Sequence, residues 1–562
     1  MGSKDRLTQA GCRLSNAHMN RPRKRALPAL GAAILLAAAG VHTTLNGAAA
    51  PADDEQAIVH VLNRIGFGPR PGDIERVRHI GLRQYIEQQL HPERIPDDAT
   101  TPRLKEFETL NLSSRDIAER FEVPQIQARR NAKQEVAKSP NPDQAPSVKD
   151  VKRAAATQQR ANEPLIELSM QKVVRAAYSE RQLQEVLTDF WFNHFNVDAR
   201  KGPERFMLTE YERDVIRPHV LGHFRDLLGA TAHSSAMLFY LDNWMSADPN
   251  GPHPVAGQRP FGPNGFPRRP GLGRFPPPPR PQQSQQQGKN APRGLNENYG
   301  RELLELHTLG VDGGYTQKDV TEVARAFTGW SIANPRQGGG FRFMPQLHDD
   351  GEKMVLGHRI KAGGGEHDGD EVLDLLANHP ATARFISTKL VRRFVSDAPP
   401  QALVDRASDT FRETHGDLRA VMTTILTSPE FLSADAYRAK VKSPFEFMVS
   451  AVRATGADIS DARPIVRSMQ QLGMPLYQCQ PPTGYKDTAD AWVNTGALVN
   501  RMNDALAMAS GRMPGVRISN PPPAESVLAG NMSDTTRATI AKATIPPQAL
   551  ALALGSPEFQ RR

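Results

Sequence analysis

Apolar residues recur at helical spacing along much of the chain, and helix start signals accompany several of these stretches. In "SERQLQEVLTDFWFNHF" the apolar positions follow the period of one buried helical face, which ends at His194. Three capping boxes are predicted, formed by Ser179 with Gln182, Thr316 with Asp319, and Ser443 with Glu446. Further helices are predicted at residues 164–178, 297–310, 381–395, 402–414, 417–427 and 490–509.

One stretch departs from the helical period. "FRFMPQLHDDGEKMVLGHRI", residues 341–360, alternates apolar and polar residues on both sides of Asp350-Gly351, which predicts a β-hairpin that turns at this dipeptide. No period of roughly 20 to 50 residues recurs, so a solenoid is not expected. The sequence therefore predicts a mainly α fold, a large multi-helix globular body with one small β-hairpin element.

Two low-complexity stretches interrupt this pattern. Residues 122–162 are polar and mixed in charge, which suits either a solvated helical arm or a disordered excursion, and the weak apolar periodicity favours the second. Residues 249–295 are rich in Pro, Gly and Gln, which predicts a disordered insertion with polyproline character. The helical parts are then residues 51–121, 163–248 and 296–562.

The first 50 residues have the order of a secretory signal peptide. The basic segment 21–25 precedes an apolar run of about sixteen residues, and the small residues Gly47, Ala48 and Ala49 come after it. Met19 can be the true start, because the residues before it add nothing to such a signal. A membrane anchor needs an apolar span nearer to about 20 residues. We therefore expect cleavage, export to the periplasm or beyond the cell, and a mature chain without a membrane span.

The net charge of +9 is unevenly distributed. Residues 1–50 and 249–296 together carry +13, so the rest of the chain carries −4. A basic nucleic-acid-binding face on the folded part is therefore not expected, and neither is a nucleic-acid partner.

Cys12 and Cys479 are the two cysteines, and Cys12 lies in the expected leader. The mature chain then contains no intrachain disulfide, and its stability must come from a large packed core. A zinc site built from several thiolates is excluded as well. A divalent metal would need His, Asp and Glu as ligands.

Several segments, read in order, resemble one known family. They are "VLNRIGFGPRPGDIERVRHIGLRQYIEQQL", "DFWFNHFNV", "NENYGRELLELHTLGVDGGYTQKDVTEVARAFTGW", "LHDDGEKMVLG", "ILTSPEF" and "KVKSPFEFMVSAVRATG". Together they resemble the domain-of-unknown-function 1800 (DUF1800) family of exported bacterial proteins, from about residue 57 to residue 510. The resemblance implies an exported protein and a co-exported partner of the DUF1501 family, which is itself similar to the sulfatase and alkaline phosphatase fold. It implies no reaction.

His194 and His307 are the first candidates for chemistry, because each interrupts an apolar helical face. Such a histidine is either a core residue with satisfied hydrogen bonds or a metal ligand, and both alternatives stay open. If the two helices pack together, the imidazoles can converge, with Asn193, Glu302 or a bound ion as partners. The supporting candidates nearby are Trp191, Asn298 and Arg301.

The helix expected at 297–310 separates Glu302 and His307 by about 140° around its axis. They are therefore poor ligands for one metal unless another segment bridges them. Arg301 comes four residues after Glu297, which predicts an exposed ion pair between them.

The richest polar window is residues 348–371, which holds three His and seven Asp or Glu. These side chains can ligate zinc, manganese or calcium, although their spacing matches neither HExxH nor an EF-hand. A solvated hairpin, followed by a glycine-rich loop and an acidic helix N-terminus, also explains the window and is the favoured interpretation. His348, Asp349 and Lys353 belong to a block that resembles the family, so they rank above His367 and Asp368.

Familiar catalytic devices are missing from the sequence. It has no GxSxG elbow, no P-loop and no dinucleotide-binding glycine motif in its proper context, and Cys479 lacks a histidine to activate it. The leading hypothesis is an exported helical protein that binds or matures a co-exported phosphatase- or sulfatase-like partner. The alternative is a metal-assisted hydrolase that acts on an envelope or extracellular substrate through His194, His307, His348 and Asp349.

Overall fold

The computed structural model describes residues 55–138, 148–251, 294–530 and 532–562. The described residues all belong to one compact unit. The expected signal peptide and most of the Pro-rich insertion lie outside the described residues. A large hydrophobic core runs from the first described helix to the last, and Cys479, the cysteine among the described residues, forms no disulfide.

Helices form most of the described chain, as the apolar periodicity predicts. The helices before the Pro-rich insertion are α1 (Glu55–Arg64), α2 (Asp73–Ile80), α3 (Leu82–Leu90), α4 (Thr101–Leu104), α5 (Ser114–Ile117), α6 (Val123–Lys138), α7 (Val148–Tyr178), α8 (Gln182–His194), α9 (Leu208–Glu210), α10 (Phe224–Ala232) and α11 (Ser235–Tyr240). Those after it are α12 (Glu297–Glu302), α13 (Gln317–Ala326), α14 (His367–Ala377), α15 (Pro380–Phe394), α16 (Gln401–Glu413), α17 (Leu418–Leu426), α18 (Pro444–Thr455), α19 (Arg463–Gln471), α20 (Thr495–Ala509), α21 (Ala524–Val527), α22 (Asp534–Ile540) and α23 (Pro546–Gly555). The fold is mainly α.

Within the described residues, three small antiparallel pairs of strands accompany the helices, whereas the sequence predicts one hairpin. The pairs are β1 (Trp330–Ile332) with β2 (Phe341–Phe343), β3 (Lys353–Val355) with β4 (His358–Ile360), and β5 (Asp458–Ile459) with β6 (Val516–Arg517).

The predicted turn at Asp350-Gly351 is wrong. The hairpin turns at Leu356-Gly357, where both residues have positive φ (50° and 80°), as a two-residue hairpin turn requires. The Gly351 carbonyl instead accepts a hydrogen bond from the Nζ of Lys353, so Asp350-Gly351 belongs to a loop that wraps this lysine.

Two of the three predicted capping boxes form, at Thr316 of α13 and Ser443 of α18. The third does not. The Oγ of Ser179 accepts from the N–H of Arg181, while the Gln182 side chain bonds the carbonyls of Ala176 and Ser179. Gln182 therefore fastens α8 to the end of α7 instead of capping its own helix.

The described parts of residues 122–162 are helical, so the favoured disordered excursion is wrong there and the helical arm is right. α6 and the first half of α7 are joined by a hydrogen bond of 2.7 Å between the side chains of Gln125 and Gln158. Gln125 also accepts from the Arg205 side chain. Such contacts, together with strong helix formers such as Ala, Gln, Lys and Arg, stabilise a helix whose apolar pattern is weak.

The residues on either side of the Pro-rich stretch are hydrogen-bonded to each other. The Ala247 N–H donates to the carbonyl of Gly294 at 2.7 Å, and the Asn296 N–H donates to the Oγ of Ser246. The body therefore continues directly from one end of this stretch to the other. Among the described helices, none is long and apolar enough to cross a membrane.

Candidate functional site

His194 is the last residue of α8 and is buried. Its Nε2 lies 3.1 Å from the carbonyl oxygen of His307, and its Nδ1 lies 2.7 Å from the Nζ of Lys389. Because a carbonyl oxygen can only accept, Nε2 carries the ring proton and Nδ1 accepts a hydrogen bond from Lys389. Both nitrogens of His194 therefore have protein partners.

His307 lies in a π-helical turn, Leu303–Thr308, that replaces the last part of the predicted continuous helix. The Leu309 N–H donates to the carbonyl of Leu304 at 2.8 Å, five residues back. One extra residue in a turn rotates the subsequent side chains by about 100° around the helix axis. Leu304 is accordingly buried and Leu306 only partly so, which the helical wheel of the sequence does not predict.

The two imidazoles do come together, with ring centroids 6.4 Å apart. Burial, and then the charge of Lys389, lower the pKa of His194 well below its ordinary value and that of His307 to about 3. Burial lowers the pKa of Lys389 to about 8, against the opposing charge of Asp487. Both histidines are therefore neutral at neutral pH, whereas Lys389 is still mostly protonated there.

His194 and Lys389 line a cleft of about 250 Å³ between α8, α15 and the loop that precedes α20. Five cationic and two acidic side chains line it, namely Lys172, Lys389, Arg392, Arg393 and Lys486 with Asp189 and Asp487. The aromatic lining residues are Phe190, Phe192, Tyr477, Tyr485 and Trp492. The cleft thus combines an excess of positive charge with aromatic walls.

Asn193 shapes this cleft rather than partnering His194. Its side-chain amide donates to the carbonyl of Tyr485 and accepts from the Tyr485 N–H, at 2.8 and 2.7 Å. The side-chain amide of Asn196 donates to the carbonyls of Cys479 and Pro481 in the same loop, both at 2.9 Å. The two asparagines of "DFWFNHFNV" therefore fix the "CQPPTGY" loop as a wall of the cleft.

The loop approaches α8 so closely that residue 484 must be glycine. A Cβ at Gly484 would lie 2.2 Å from the carbonyl oxygen of Asn193, and the φ there is +70°. Cys479, in the same loop, is buried, and burial raises the pKa of its thiol to about 11. It is therefore no activated nucleophile.

His348 and Lys353 form a second, separate cluster, around Asp368. Asp368 Oδ2 lies 2.5 Å from the Nζ of Lys353 and 3.2 Å from the Nε2 of His348, and all three side chains are at most 1% exposed. The other ring nitrogen of His348 donates to the carbonyl of Thr328 at 2.8 Å. Asp368, ranked low from the sequence, is the centre of this cluster.

The side chain of Asp349 is paired with Arg325. The guanidinium of Arg325 donates to both carboxylate oxygens of Asp349, at 2.7 and 3.1 Å, and the backbone carbonyl of Asp349 accepts from the Nζ of Lys353. The charge of Arg325 and the Gly351 N–H contribute to holding the pKa of Asp349 below its ordinary value. The side chain is therefore an ionised anchor for the loop.

The remaining candidates serve packing or the surface. Trp191 is buried and its indole N–H donates to the carbonyl of Val220 at 3.3 Å. Glu302 is half-buried, and burial together with Glu305 raises its pKa. Asn298 is exposed at the start of α12.

The predicted ion pair of Arg301 with Glu297 is absent from the described part of the chain. Arg301 donates to the side-chain oxygen of Gln317, and Glu297 accepts from Gln317 and Thr321. Both residues therefore tie α12 to α13.

The proposed metal ligands fall into two groups. His194 lines the cleft and contacts His307, whereas His348 and Asp349 contact Thr328, Asp368 and Arg325, and none of the contacts within the described residues joins the two groups. No set of three or more His, Cys, Asp or Glu side chains in the described ranges could hold a metal ion. The hydrolase hypothesis therefore receives no support from the geometry.

α20, which begins three residues after the cleft residue Trp492, carries an exposed apolar face. Four large apolar residues, Leu498, Val499, Met502 and Leu506, are between 40 and 53% exposed and recur at the spacing of one helical face. Val493, directly after the cleft residue Trp492, is 49% exposed. We call these five residues the α20 stripe. Sequence reasoning missed this feature, because an exposed apolar face and a buried one have the same period.

Fold and site together define a large, mainly helical protein with a cationic cleft and an apolar surface stripe beside it. The family model of the protein of unknown function DUF1800 matches residues 60–561, and the chain belongs to that family. No curated protein matches the chain. No solved structure matches it either.

Proposed function

We propose that this protein is an exported binding protein that docks a co-exported polypeptide partner on the α20 stripe. The stripe carries the proposal, because apolar side chains that recur on one helical face and face water mark a protein interaction surface. The adjoining cleft, with five cations against two acids, favours a partner whose docking segment is apolar and flanked by acidic residues.

The resemblance to exported DUF1800 proteins names the first partner to test, a co-exported DUF1501-like protein of the phosphatase or sulfatase type. The signal-peptide pattern of residues 1–50 supports export to the periplasm or beyond. N-terminal sequencing of the secreted chain tests export, and a protein retaining its first 50 residues in the cytoplasm would contradict it.

The docking test compares two charge substitutions on the same helix. Met502→Asp places a carboxylate within the α20 stripe, whereas Asn500→Asp adds the same charge at an exposed position beside it. We expect Met502→Asp to weaken binding of the purified DUF1501-like protein by about tenfold or more, and Asn500→Asp to change it by less than about twofold. Calorimetric titration measures both.

Equal weakening by the two variants would show a general charge effect and contradict docking on the stripe. Size-exclusion chromatography provides a second check. If the wild-type chain dimerises and Met502→Asp makes it monomeric, the stripe joins two copies of this chain and the proposal is wrong.

A further inference from the structure

The cationic side of the cleft is built by one helix. Lys389, Arg392 and Arg393 are at i, i+3 and i+4 of α15, so they share one helical face, and all three line the cleft. Across from them lie Asp189 and Asp487. If the three cations are paired within the cleft, these two carboxylates must supply the negative charge.

The two carboxylates are already engaged. Asp189 lies 2.7 Å from the Nζ of Lys172, and Asp487 accepts from the Nη1 of Arg393 at 3.2 Å. Lys440 also lies 3.5 Å from Asp487. The acids therefore serve other cations as well.

Several donors on α15 remain without an acceptor. Arg393 pairs through Nη1, which also lies 2.9 Å from Glu446, and its Nη2 lies 3.9 Å from Asp189, yet Nε and Nη2 form no hydrogen bond within the described residues. Arg392 forms no hydrogen bond or ion pair with any residue that the structure describes, and the only hydrogen-bond partner of Lys389 Nζ among those residues is the neutral His194. Buried guanidinium donors that lack acceptors cost free energy unless a ligand supplies the acceptors.

We propose that the cleft binds a small oxyanion ligand, a phosphate, sulfate or carboxylate group carried on a single ring. Arg392, Arg393 and Lys389 hold the oxyanion, because guanidinium forks match the geometry of such groups. Tyr485 and Trp492 face the ring of an aromatic compound or a sugar. A volume of about 250 Å³ is below that of pockets for drug-sized ligands, which limits the body to about one ring. None of the five residues of the α20 stripe lines this cleft, so the two binding sites can be tested with separate variants.

His194 has a positioning role in this site. Its neutral Nδ1 accepts from Lys389 and directs the remaining N–H groups of the ammonium. The asparagine-fixed loop holds Tyr485 in place from the other side.

The test uses the mature full-length protein at fixed ionic strength and measures the heat of binding and the intrinsic fluorescence of the four tryptophans, of which Trp492 lines the cleft. The probes are phenyl phosphate, phenyl sulfate, benzoate and glucose 6-phosphate, with phenol, glucose and inorganic phosphate as comparison compounds. We expect at least one ring-bearing anion to bind more tightly than its uncharged counterpart and more tightly than inorganic phosphate. Binding of none of the anions overturns the proposal, and equal binding of inorganic phosphate overturns the assignment of the ring.

Two variants of α15 separate the site from a general charge effect. Arg392→Gln removes a cleft cation that has no partner among the described residues, and Arg384→Gln removes an exposed cation of the same helix that pairs with Asp405 outside the cleft. We expect Arg392→Gln to weaken the best probe by about tenfold or more, the loss of a charge-assisted hydrogen bond. Arg384→Gln should change it by less than about twofold. Equal effects of the two variants would overturn the proposal.

Discussion

The cleft and the Asp368 cluster both place a histidine beside a lysine, but the two regions differ in how far their charges are matched. In the cluster, Asp368 neutralises Lys353, and two carbonyls complete the lysine's hydrogen bonds. In the cleft, the neutral imidazole of His194 is the only hydrogen-bond partner of Lys389 Nζ among the described residues. Arg392 forms no hydrogen bond or ion pair with any of those residues. A complete set of partners stabilises a fold, whereas an incomplete set beside a cavity is available to a ligand.

The largest expected effect on the free energy of unfolding comes from removing the counter-charge in the Asp368 cluster. Asp368→Asn leaves the ammonium of Lys353, which is 0% exposed, without its counter-charge. Removal of one partner of a buried ion pair costs about 3–5 kcal/mol, and we expect that loss in the free energy of unfolding measured with urea.

Two comparison variants sharpen this result. Arg392→Gln in the cleft and Asp350→Asn at an exposed position beside the cluster are each expected to change the free energy of unfolding by less than about 0.5 kcal/mol. If Arg392→Gln destabilised the protein as much as Asp368→Asn, the contrast between the two regions would fail.

A smaller effect is expected from the cleft wall. Gly484→Ala forces a Cβ against the carbonyl of Asn193 and should lower the free energy of unfolding by about 1–3 kcal/mol beyond the cost of positive φ alone. Gly473→Ala is the matched control, since its φ is +89° and nothing lies within 4 Å of the added Cβ. Equal losses in the two variants would show that the contact with Asn193 does not constrain the loop.

Acid is expected to destabilise the fold through the buried pair of His194 and His307. His307 has a pKa of about 3 in the folded protein and an ordinary value of 6.5, so the unfolded chain binds an extra proton between these values. The contribution of His307 to the free energy of unfolding is therefore fully present above pH 6.5. It is lost as the pH drops toward 3, by up to about 1.4 kcal/mol per pH unit for each such histidine. His194, whose pKa is also lowered, adds to the same loss.

Urea unfolding at several pH values measures this dependence. His307→Gln should reduce the slope of stability against pH by about one proton, whatever it does to the stability at neutral pH. An unchanged slope in this variant would show that His307 is not held neutral in the folded protein.

The parts of the fold that depend on neighbours in the chain could be predicted. Thr316 and Ser443 cap their helices as expected, because each box needs only a residue three positions away. The capping box predicted at Ser179 does not form, because the side-chain amide of Gln182 donates to the carbonyls of Ala176 and Ser179 at the end of α7. The turn at Asp350-Gly351 failed because Lys353 engages that loop.

The candidate site could be predicted only in part. His194 and His307 were recognised from their apolar surroundings, and their convergence was conjectured. Lys389 was missed, and its only signal is the spacing of three basic residues on α15, which is more often a solvated face. Asp368 was seen within an acidic window, but nothing local distinguishes it from the six other acids there.

The helical class, most helix positions, the family resemblance and the interest in two histidines can all be obtained from the amino-acid order, because periodicity and capping are local properties. The meeting of His194 with Lys389, 195 residues away, and of Asp368 with Lys353 in a different cluster, is visible only once the chain is folded. The reason is physical. The pairing of a buried charge depends on which helices pack together, and the energy of that packing is spread over the whole core.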